Sequence, residues 1–174
     1  MELSVVLVVV AIVASFMAPV IDVFKPGVRG SVLEVTTTLA TAQRTSVVLQ
    51  HDIIVMFDTA QASLRVHLDA DNDGSVDSGE TVRWIELEEM AKFGRGTTPA
   101  IDSRTEGITF LGRQNEYPAL TFHRNGSASE EGIAYITSRR PGSSPDDTRA
   151  IRVERGTGQL TCLRYRDGAW SKGC

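Results

Sequence analysis

The sequence predicts an α+β protein in which one long N-terminal α-helix packs on an antiparallel β-sheet head. Residues 3–21 carry no charge, and residues 28–49 repeat apolar side chains at helical steps of three and four. The remainder alternates short apolar runs with turn residues and contains no internal repeat. We therefore divide the chain into a transmembrane helix at 1–24, an amphipathic helix at 25–52 and a β-rich globular head at 53–174.

The uncharged segment has the length and composition of a membrane span. As a helix, residues 3–21 would be about 29 Å long, close to the roughly 30 Å of a bilayer's hydrocarbon core. Glu2 stands at its start, where a cleaved signal peptide would carry positive charge, and no Ala-x-Ala-like cleavage site follows. The segment is therefore predicted to be retained, and Glu2 to find a partner such as an amine at a neighbouring subunit's N-terminus. An ordinary signal anchor is the alternative interpretation.

The same stretch resembles the N-terminal helix of type IV pilins and type II secretion pseudopilins. The resemblance rests on the run Glu-Leu-Ser-Val-Val-Leu-Val-Val-Val-Ala-Ile-Val-Ala at residues 2–14 and on Pro19, which follows Glu2 at the distance found in that family. It implies that Glu2 and Pro19 act in assembly. The family's leader and its first residues, Phe-Thr-Leu, are not in this sequence. Prepilin peptidase is accordingly an expected partner if a leader exists upstream, and N-terminal methylation depends on the same condition.

A second, looser resemblance lies in the C-terminal half. The turn Phe122–Gly126 and a late strand, 151–153, before Gly158 are similar to H-type minor pseudopilins and FimT-like minor pilins. This implies a pilin fold and a non-catalytic inner-membrane subunit with a periplasmic head. It would join other pilins or pseudopilins in a type II secretion pseudopilus or a type IV pilus. The alternatives are a FimT-like minor pilin that binds DNA for uptake, and a membrane-anchored calcium-binding module.

The amphipathic helix is predicted from one apolar stripe. Pro19 lacks the N–H for a bond to the carbonyl of Ser15, so the first helix should kink there, and Pro26-Gly27 is a second interruption. The stripe most simply packs on a sheet, while a partner-binding face is the alternative. Its members are Val28, Val32, Val35, Leu39, Ala42, Ser46 and Leu49.

Seven or eight strands are predicted beyond the helix. Residues 64–68 alternate apolar and polar side chains, as in a half-buried strand. Gly, Pro and Asp cluster at 94–107 and 138–148, which predicts two longer loops. The other expected strands are 53–57, 82–84, 108–110, 120–122, 133–137, 151–153 and 160–163.

An acidic segment between two of these strands has the spacing of a calcium loop. Its acids fall at positions 1, 3, 5, 9 and 12, with Gly74 at position 6, which is the twelve-residue pattern of an EF-hand. The flanks are strand-like, so an EF-hand domain is not expected. The hypothesis is a structural Ca²⁺ clip, and the alternative is a polar turn whose side chains bond their own backbone. The expected ligands are Asp69, Asp71, Asp73, the Ser75 carbonyl, Asp77 and Glu80.

The two cysteines and several basic residues lie at the C-terminal end. Cys162 and Cys174 would close a short loop, which behind a membrane anchor favours a disulfide in an oxidising compartment. A zinc site or two free thiols are the alternatives. Arg164, Arg166 and Lys172 lie in that loop beside aromatic residues, a composition that can hold a nucleic-acid strand. A solvated strand-and-loop face is the alternative.

No catalytic site is predicted. The three histidines, His51, His67 and His123, are scattered, and no nucleophile motif, metalloprotease spacing or phosphate-binding glycine loop occurs. The net charge of −4 is unevenly distributed, because residues 139–174 hold eight basic and four acidic residues. The C-terminal portion is therefore the basic end of the chain.

Overall fold

A computed structural model describes residues 26–174. The predicted span at 1–24, with Glu2 and Pro19, lies outside the described residues. None of the helices within 26–174 combines the length and the apolar character that a bilayer crossing requires.

Helix α1 spans Pro26–Leu49 and packs along one face of the head. Proline is favoured at the start of a helix because its missing N–H has no partner there. The predicted apolar stripe is buried from Val28 to Ser46, whereas Leu49 is 48% exposed. The helix ends at this residue because Gln50 adopts a left-handed conformation with a φ of 58°.

The head contains two antiparallel sheets of five strands each within residues 26–174. One sheet has the order β3-β2-β1-β6-β5 and the other the order β10-β9-β8-β7-β4. The strands are β1 (Asp52–Asp58), β2 (Ser63–Asp69), β3 (Val82–Glu86), β4 (Ala91–Phe93), β5 (Arg113–Gln114), β6 (Tyr117–Phe122), β7 (Gly132–Ser138), β8 (Arg149–Val153), β9 (Leu160–Arg166) and β10 (Ala169–Lys172).

The predicted α+β class is confirmed, with differences at individual strands. The strand expected at 108–110 is reduced to a single β-bridge between Ile108 and Ala134. Strands β4, β5 and β10 were not predicted, since two to four residues are too few to show a period-two pattern. The loop at 138–148 contains one short 3-10 helix, Pro145–Asp147.

Side chains from α1 and both sheets share one apolar core. Leu39 of α1 is fully buried in it with Leu120 of β6 and Ile136 of β7. The ring of Phe57 contacts Phe110 at 5.2 Å and Phe93 at 5.7 Å between ring centres. Phe57 belongs to the first sheet and Phe93 to the second, so these aromatic contacts join the two sheets.

The outer face of each sheet is covered by a loop. Val76 packs over Ile54 and Met56 of β1. On the second sheet, the backbone N–H of Ile101 donates to the Tyr135 hydroxyl at 2.8 Å. The interior strands β1 and β7 are therefore buried on two faces, which explains why they show continuous apolar runs and not alternation.

A disulfide joins Cys162 to Cys174, with 5.7 Å between their Cα atoms. It connects Cys162 in β9 to Cys174, the second residue after β10. Beside it, the N–H of Gly173 donates to the Cys162 carbonyl at 2.9 Å. The cross-link therefore ties the edge strand β10 to the sheet.

Candidate functional site

The acidic loop, residues 69–80, connects the end of β2 to β3 on the outer side of the first sheet. Asp69 is fully buried, and its carboxylate accepts hydrogen bonds from the N–H groups of Asp73 at 3.2 Å and Gly74 at 2.8 Å. Gly74 has a φ of 81°, a left-handed conformation that suits glycine. These bonds fold the loop back over its first residue.

Further side chains of the loop also bond its backbone. The carboxylate of Asp73 accepts from Ser75 N–H at 2.7 Å, and Asp71 accepts from Asp73 N–H at 3.3 Å. Glu80 accepts from the N–H groups of Ala70 and Asp77, each at 3.1 Å. The loop is thus ordered by Asx-type bonds, which is the alternative that the sequence left open.

Three of the predicted calcium ligands come together. Within residues 26–174, one group of potential metal-binding side chains has ligand atoms within 4.8 Å of one another, and it consists of Asp69, Asp71 and Asp73. Asp77 and Glu80 do not belong to that group. Repulsion from Asp73 raises the pKa of the exposed Asp77 carboxyl, with smaller contributions from desolvation and from the other acids of the loop. The loop therefore concentrates negative charge.

Contacts with neighbouring strands hold the loop in place. The Asn72 side chain accepts from the N–H of Asp52 at 2.8 Å, and Asn72 has a φ of 60°. Gln114 donates from its side chain to the Gly74 carbonyl at 2.6 Å. The loop is thereby fixed to both β1 and β5, the strands on either side of β6.

A row of polar side chains follows the outer face of β2 towards the loop. The Arg65 guanidinium lies between the rings of Trp84 and Tyr117, at 4.3 and 4.4 Å from their centres, and pairs with Asp58 at 2.8 Å. Burial lowers the pKa of His67; Arg65 also lowers it, and Glu80 opposes this. The sequence placed His67 outward on its strand, yet this residue is only 9% exposed. His67 pairs with Ile54 on this face, and Val76 of the acidic loop packs over Ile54.

The structure separates the three basic residues singled out in the C-terminal loop. Lys172 pairs with Leu163 across the β9–β10 hairpin, whereas Arg164 pairs with Ser171. Directly paired residues share a face and neighbours along a strand alternate, so Lys172 lies on the opposite face from Arg164 and Arg166. The prediction that all three bind DNA stays a prediction, and the hairpin does not gather them on one surface.

Arg164 and Arg166 instead line a groove with other arginines, here called the arginine groove. It measures about 520 Å³ and lies where the first turn of α1 meets one end of the second sheet. The groove is flanked by the 3-10 helix that precedes β8. Its charged lining residues are Arg29, Arg140, Arg149, Arg164, Arg166, Asp146 and Asp147.

Sequence reasoning did not find Arg29, Arg140 and Arg149 as parts of one site. Arg149 and Arg164 face each other in the β8–β9 register, which is a pairing that only the strand alignment reveals. Arg29 comes from the first turn of α1, far away in the chain. The excess of basic residues after position 138 was the one signal in the sequence that pointed to this end of the molecule.

No protein-family model matches the chain, and no curated protein matches it. Solved structures of the minor pseudopilin EpsH from the type 2 secretion system of Vibrio cholerae do match. One aligns at a TM-score of 0.53 over 79% of this chain and 97% of that chain, and another at 0.50 over 80% and 97%. Both are 15% identical in sequence to this chain. The resemblance to minor pseudopilins inferred from the sequence is therefore confirmed at the level of the fold.

Proposed function

We propose that this chain, which has the fold of a minor pseudopilin, is a non-catalytic structural subunit of a type II secretion pseudopilus or a type IV pilus. Residues 1–24 would anchor it in the inner membrane, and the head would lie in the periplasm. The observation that carries the proposal is the combination, in one chain, of a pseudopilin-like head and an uncharged segment that begins at Glu2.

The mechanism is one of assembly. The apolar helix stays in lipid until the helices of neighbouring subunits replace the lipid around it. Glu2 then meets a cationic partner, which removes the cost of a lone acid in an apolar environment and sets the axial register of the subunit. Other pilins or pseudopilins are the expected partners.

The contacts of α1 support this role because they make the helix and the head one mechanical unit. The buried stripe fixes α1 on both sheets, so a pull on the helix moves the head with it. On the opposite side of α1, Leu33 is 68% exposed and Val48 is 77% exposed. These side chains are the part of the helix that remains available to neighbouring subunits.

Substitution of Glu2 tests the proposal. Glu2→Ala and Glu2→Val should leave the head folded and prevent incorporation into the filament, measured by crosslinking to neighbouring pseudopilins in cells. Glu34→Ala removes an exposed carboxylate from α1 and serves as the matched control. Normal incorporation of both Glu2 variants would contradict the assembly role.

We propose in addition that the acidic loop holds Ca²⁺ as a structural clip. Hard cations take six to eight oxygen ligands, and the loop offers its EF-hand spacing together with three carboxylates that already converge. Asp69, Asp71, Asp73, the Ser75 carbonyl, Asp77 and Glu80 would hold the ion. Its charge would relieve the repulsion that raises the pKa of Asp77, and this would stabilise the connection between β2 and β3.

Calorimetric titration of the full chain with CaCl₂ tests the clip. Asp71→Asn with Asp73→Asn keeps an oxygen ligand at each position while removing two of the converging charges, and should weaken the calcium affinity obtained from the titration. Asp146→Asn with Asp147→Asn removes two acids elsewhere and should not change it. A wild-type protein without calcium-dependent heat at millimolar calcium would remove the proposal.

A further inference from the structure

The arginine groove concentrates positive charge on an otherwise acidic protein. Five arginines and two aspartates line the groove, whereas the chain as a whole carries a net charge of −4. Within residues 26–174, neither Arg29 nor Arg164 has a carboxylate oxygen within 4.0 Å of its guanidinium. The groove is therefore a basic site on a protein whose net charge is negative.

Arg149 shows how the groove is built. Its guanidinium donates to the carbonyls of Asp146 at 2.5 Å and Thr148 at 3.0 Å, which fixes the side chain at the base of the groove. Burial lowers the pKa of Arg149, and the positive charges of Arg164 and Arg29 lower it further, against the effect of Asp147 and Asp146. An anion in the groove would relieve this repulsion between like charges.

The position of the groove in the chain suggests where the anion comes from. Val28 and Arg29 line it and belong to the first turn of α1. Val28 follows Ile21, the end of the uncharged segment, by seven positions, so even a fully extended connection places Val28 within about 25 Å of that end. If residues 1–24 span a bilayer, this is the end of the head that faces the lipid headgroups.

We propose that the arginine groove binds the phosphate of an anionic phospholipid headgroup at the membrane surface. The inference rests on the proposed function for its placement of the groove next to a bilayer. Guanidinium groups offer paired N–H donors that match phosphate oxygens, and arginine is favoured wherever phosphate is recognised. Arg164 and Arg166 are exposed, and a phosphate would compete only with their contacts to Ser171 at 3.5 Å and to Asp167 at 3.6 Å. Arg149 adds a charge that is held in place by two backbone carbonyls.

A nucleic acid fits the geometry less well. Sequence-independent binding of a nucleic-acid strand uses a basic track with stacking aromatic residues along it. Here Lys172 lies on the other face of the hairpin, and the groove is a compact site with two carboxylates in its wall. A single phosphate group matches this arrangement better than a polyanion does.

Native mass spectrometry of the full chain in nonionic detergent tests the inference. Phosphatidylglycerol and phosphatidylcholine with identical acyl chains are added in parallel, so that the acyl chains and the anchor contribute equally. The wild type should retain phosphatidylglycerol preferentially. Arg164→Gln with Arg166→Gln should weaken this binding about tenfold or more, since hydrogen bonds to charged groups contribute about a factor of ten each. Arg44→Gln with Arg155→Gln removes the same charge from exposed sites outside the groove and should change it less than twofold.

Two further probes identify the source of the phosphate. Millimolar inorganic phosphate should compete weakly, and a short single-stranded oligonucleotide should not compete. Equal retention of the two lipids, or equal loss in the groove and control variants, overturns the proposal. Tight binding of inorganic phosphate or of the oligonucleotide without a preference for phosphatidylglycerol also overturns it. Circular dichroism identifies a misfolded double variant, and Arg29→Gln then takes its place with the same expected loss of preference.

The result does not depend on filament assembly. Lipid retention is measured on the purified subunit, whereas the Glu2 variants are tested by crosslinking in cells. Loss of lipid preference with normal Glu2-dependent assembly would overturn the headgroup site alone. Lipid preference without Glu2-dependent assembly would overturn the subunit role alone.

Discussion

The side chain of Gln43 ties helix α1 to Gly126: its Nε2 donates to the Gly126 carbonyl at 2.9 Å. The same nitrogen donates to the carbonyl of Thr157 at 2.7 Å. Gly126 lies in the turn after β6 of the first sheet, and Thr157 lies in the turn between β8 and β9 of the second. One side chain of α1 therefore joins the turns of both sheets, and these are the two turns on which the looser family resemblance rests.

Gln43→Ala should lower the free energy of unfolding by about 1–2 kcal/mol, because two carbonyl oxygens lose their donor. Arg44→Ala is the matched control, since it truncates the next, exposed residue of the same helix and should change stability by less than about 0.5 kcal/mol. The measurement is urea unfolding in detergent, followed by the fluorescence of the two tryptophans. Equal stability of the two variants would contradict the role assigned to Gln43.

Gly158→Ala should destabilise the protein more than Gly142→Ala. Both glycines have left-handed φ angles, 62° and 71°, so alanine costs about 1–2 kcal/mol at either position. A Cβ at 158 would also overlap the carbonyl oxygen of Gly126 and lie 2.5 Å from Gln43 Nε2, whereas a Cβ at 142 meets open space. The midpoints of urea unfolding compare the stability losses of the two variants. A larger loss in Gly142→Ala than in Gly158→Ala would contradict the cost assigned to the close approach of the two turns.

Reduction of the Cys162–Cys174 disulfide should lower the free energy of unfolding by about 3 kcal/mol. The cysteines are separated by 12 residues in sequence, and opening such a loop restores chain entropy to the unfolded state. Cys162→Ser with Cys174→Ser should have the same stability as the reduced wild type, and reductant should not affect it. A reductant-sensitive double variant would show that the loss has another cause.

His67→Gln should flatten the dependence of stability on pH. Burial lowers the pKa of His67 below its usual 6.5, so the folded state favours the neutral ring. The stability that this contributes is present above pH 6.5 and is lost as the pH falls below it, because the unfolded chain then takes up the proton more readily. The wild type should therefore lose more stability than His67→Gln between about pH 7.5 and pH 5.5. Parallel pH profiles would exclude this account of His67.

The local pattern of apolar and polar residues predicted the elements that bury one regular face against the core. The helical stripe of α1 was evident because every third or fourth residue is apolar, and Leu39 is indeed fully buried. Strand β10 was not predicted, since its four residues are held by pairing with β9 and by the disulfide and not by a buried apolar face.

The acidic loop was readable in the sequence because its ligands are close in the chain. Spacing alone identified Asp69, Asp71 and Asp73, which the fold brings together. It did not show that Glu80 bonds the backbone of Ala70 and Asp77, because those bonds depend on how the loop folds back. It also did not show that the loop covers His67.

Residues that lie close in the chain were enough to predict the α+β class, the helix along the head, the apolar segment and the acidic loop. The fold was needed to show that Arg29, Arg149 and Arg164 line one groove and that Lys172 does not. Strand register and helix placement follow from the burial of the whole core, and no short window of sequence contains that information.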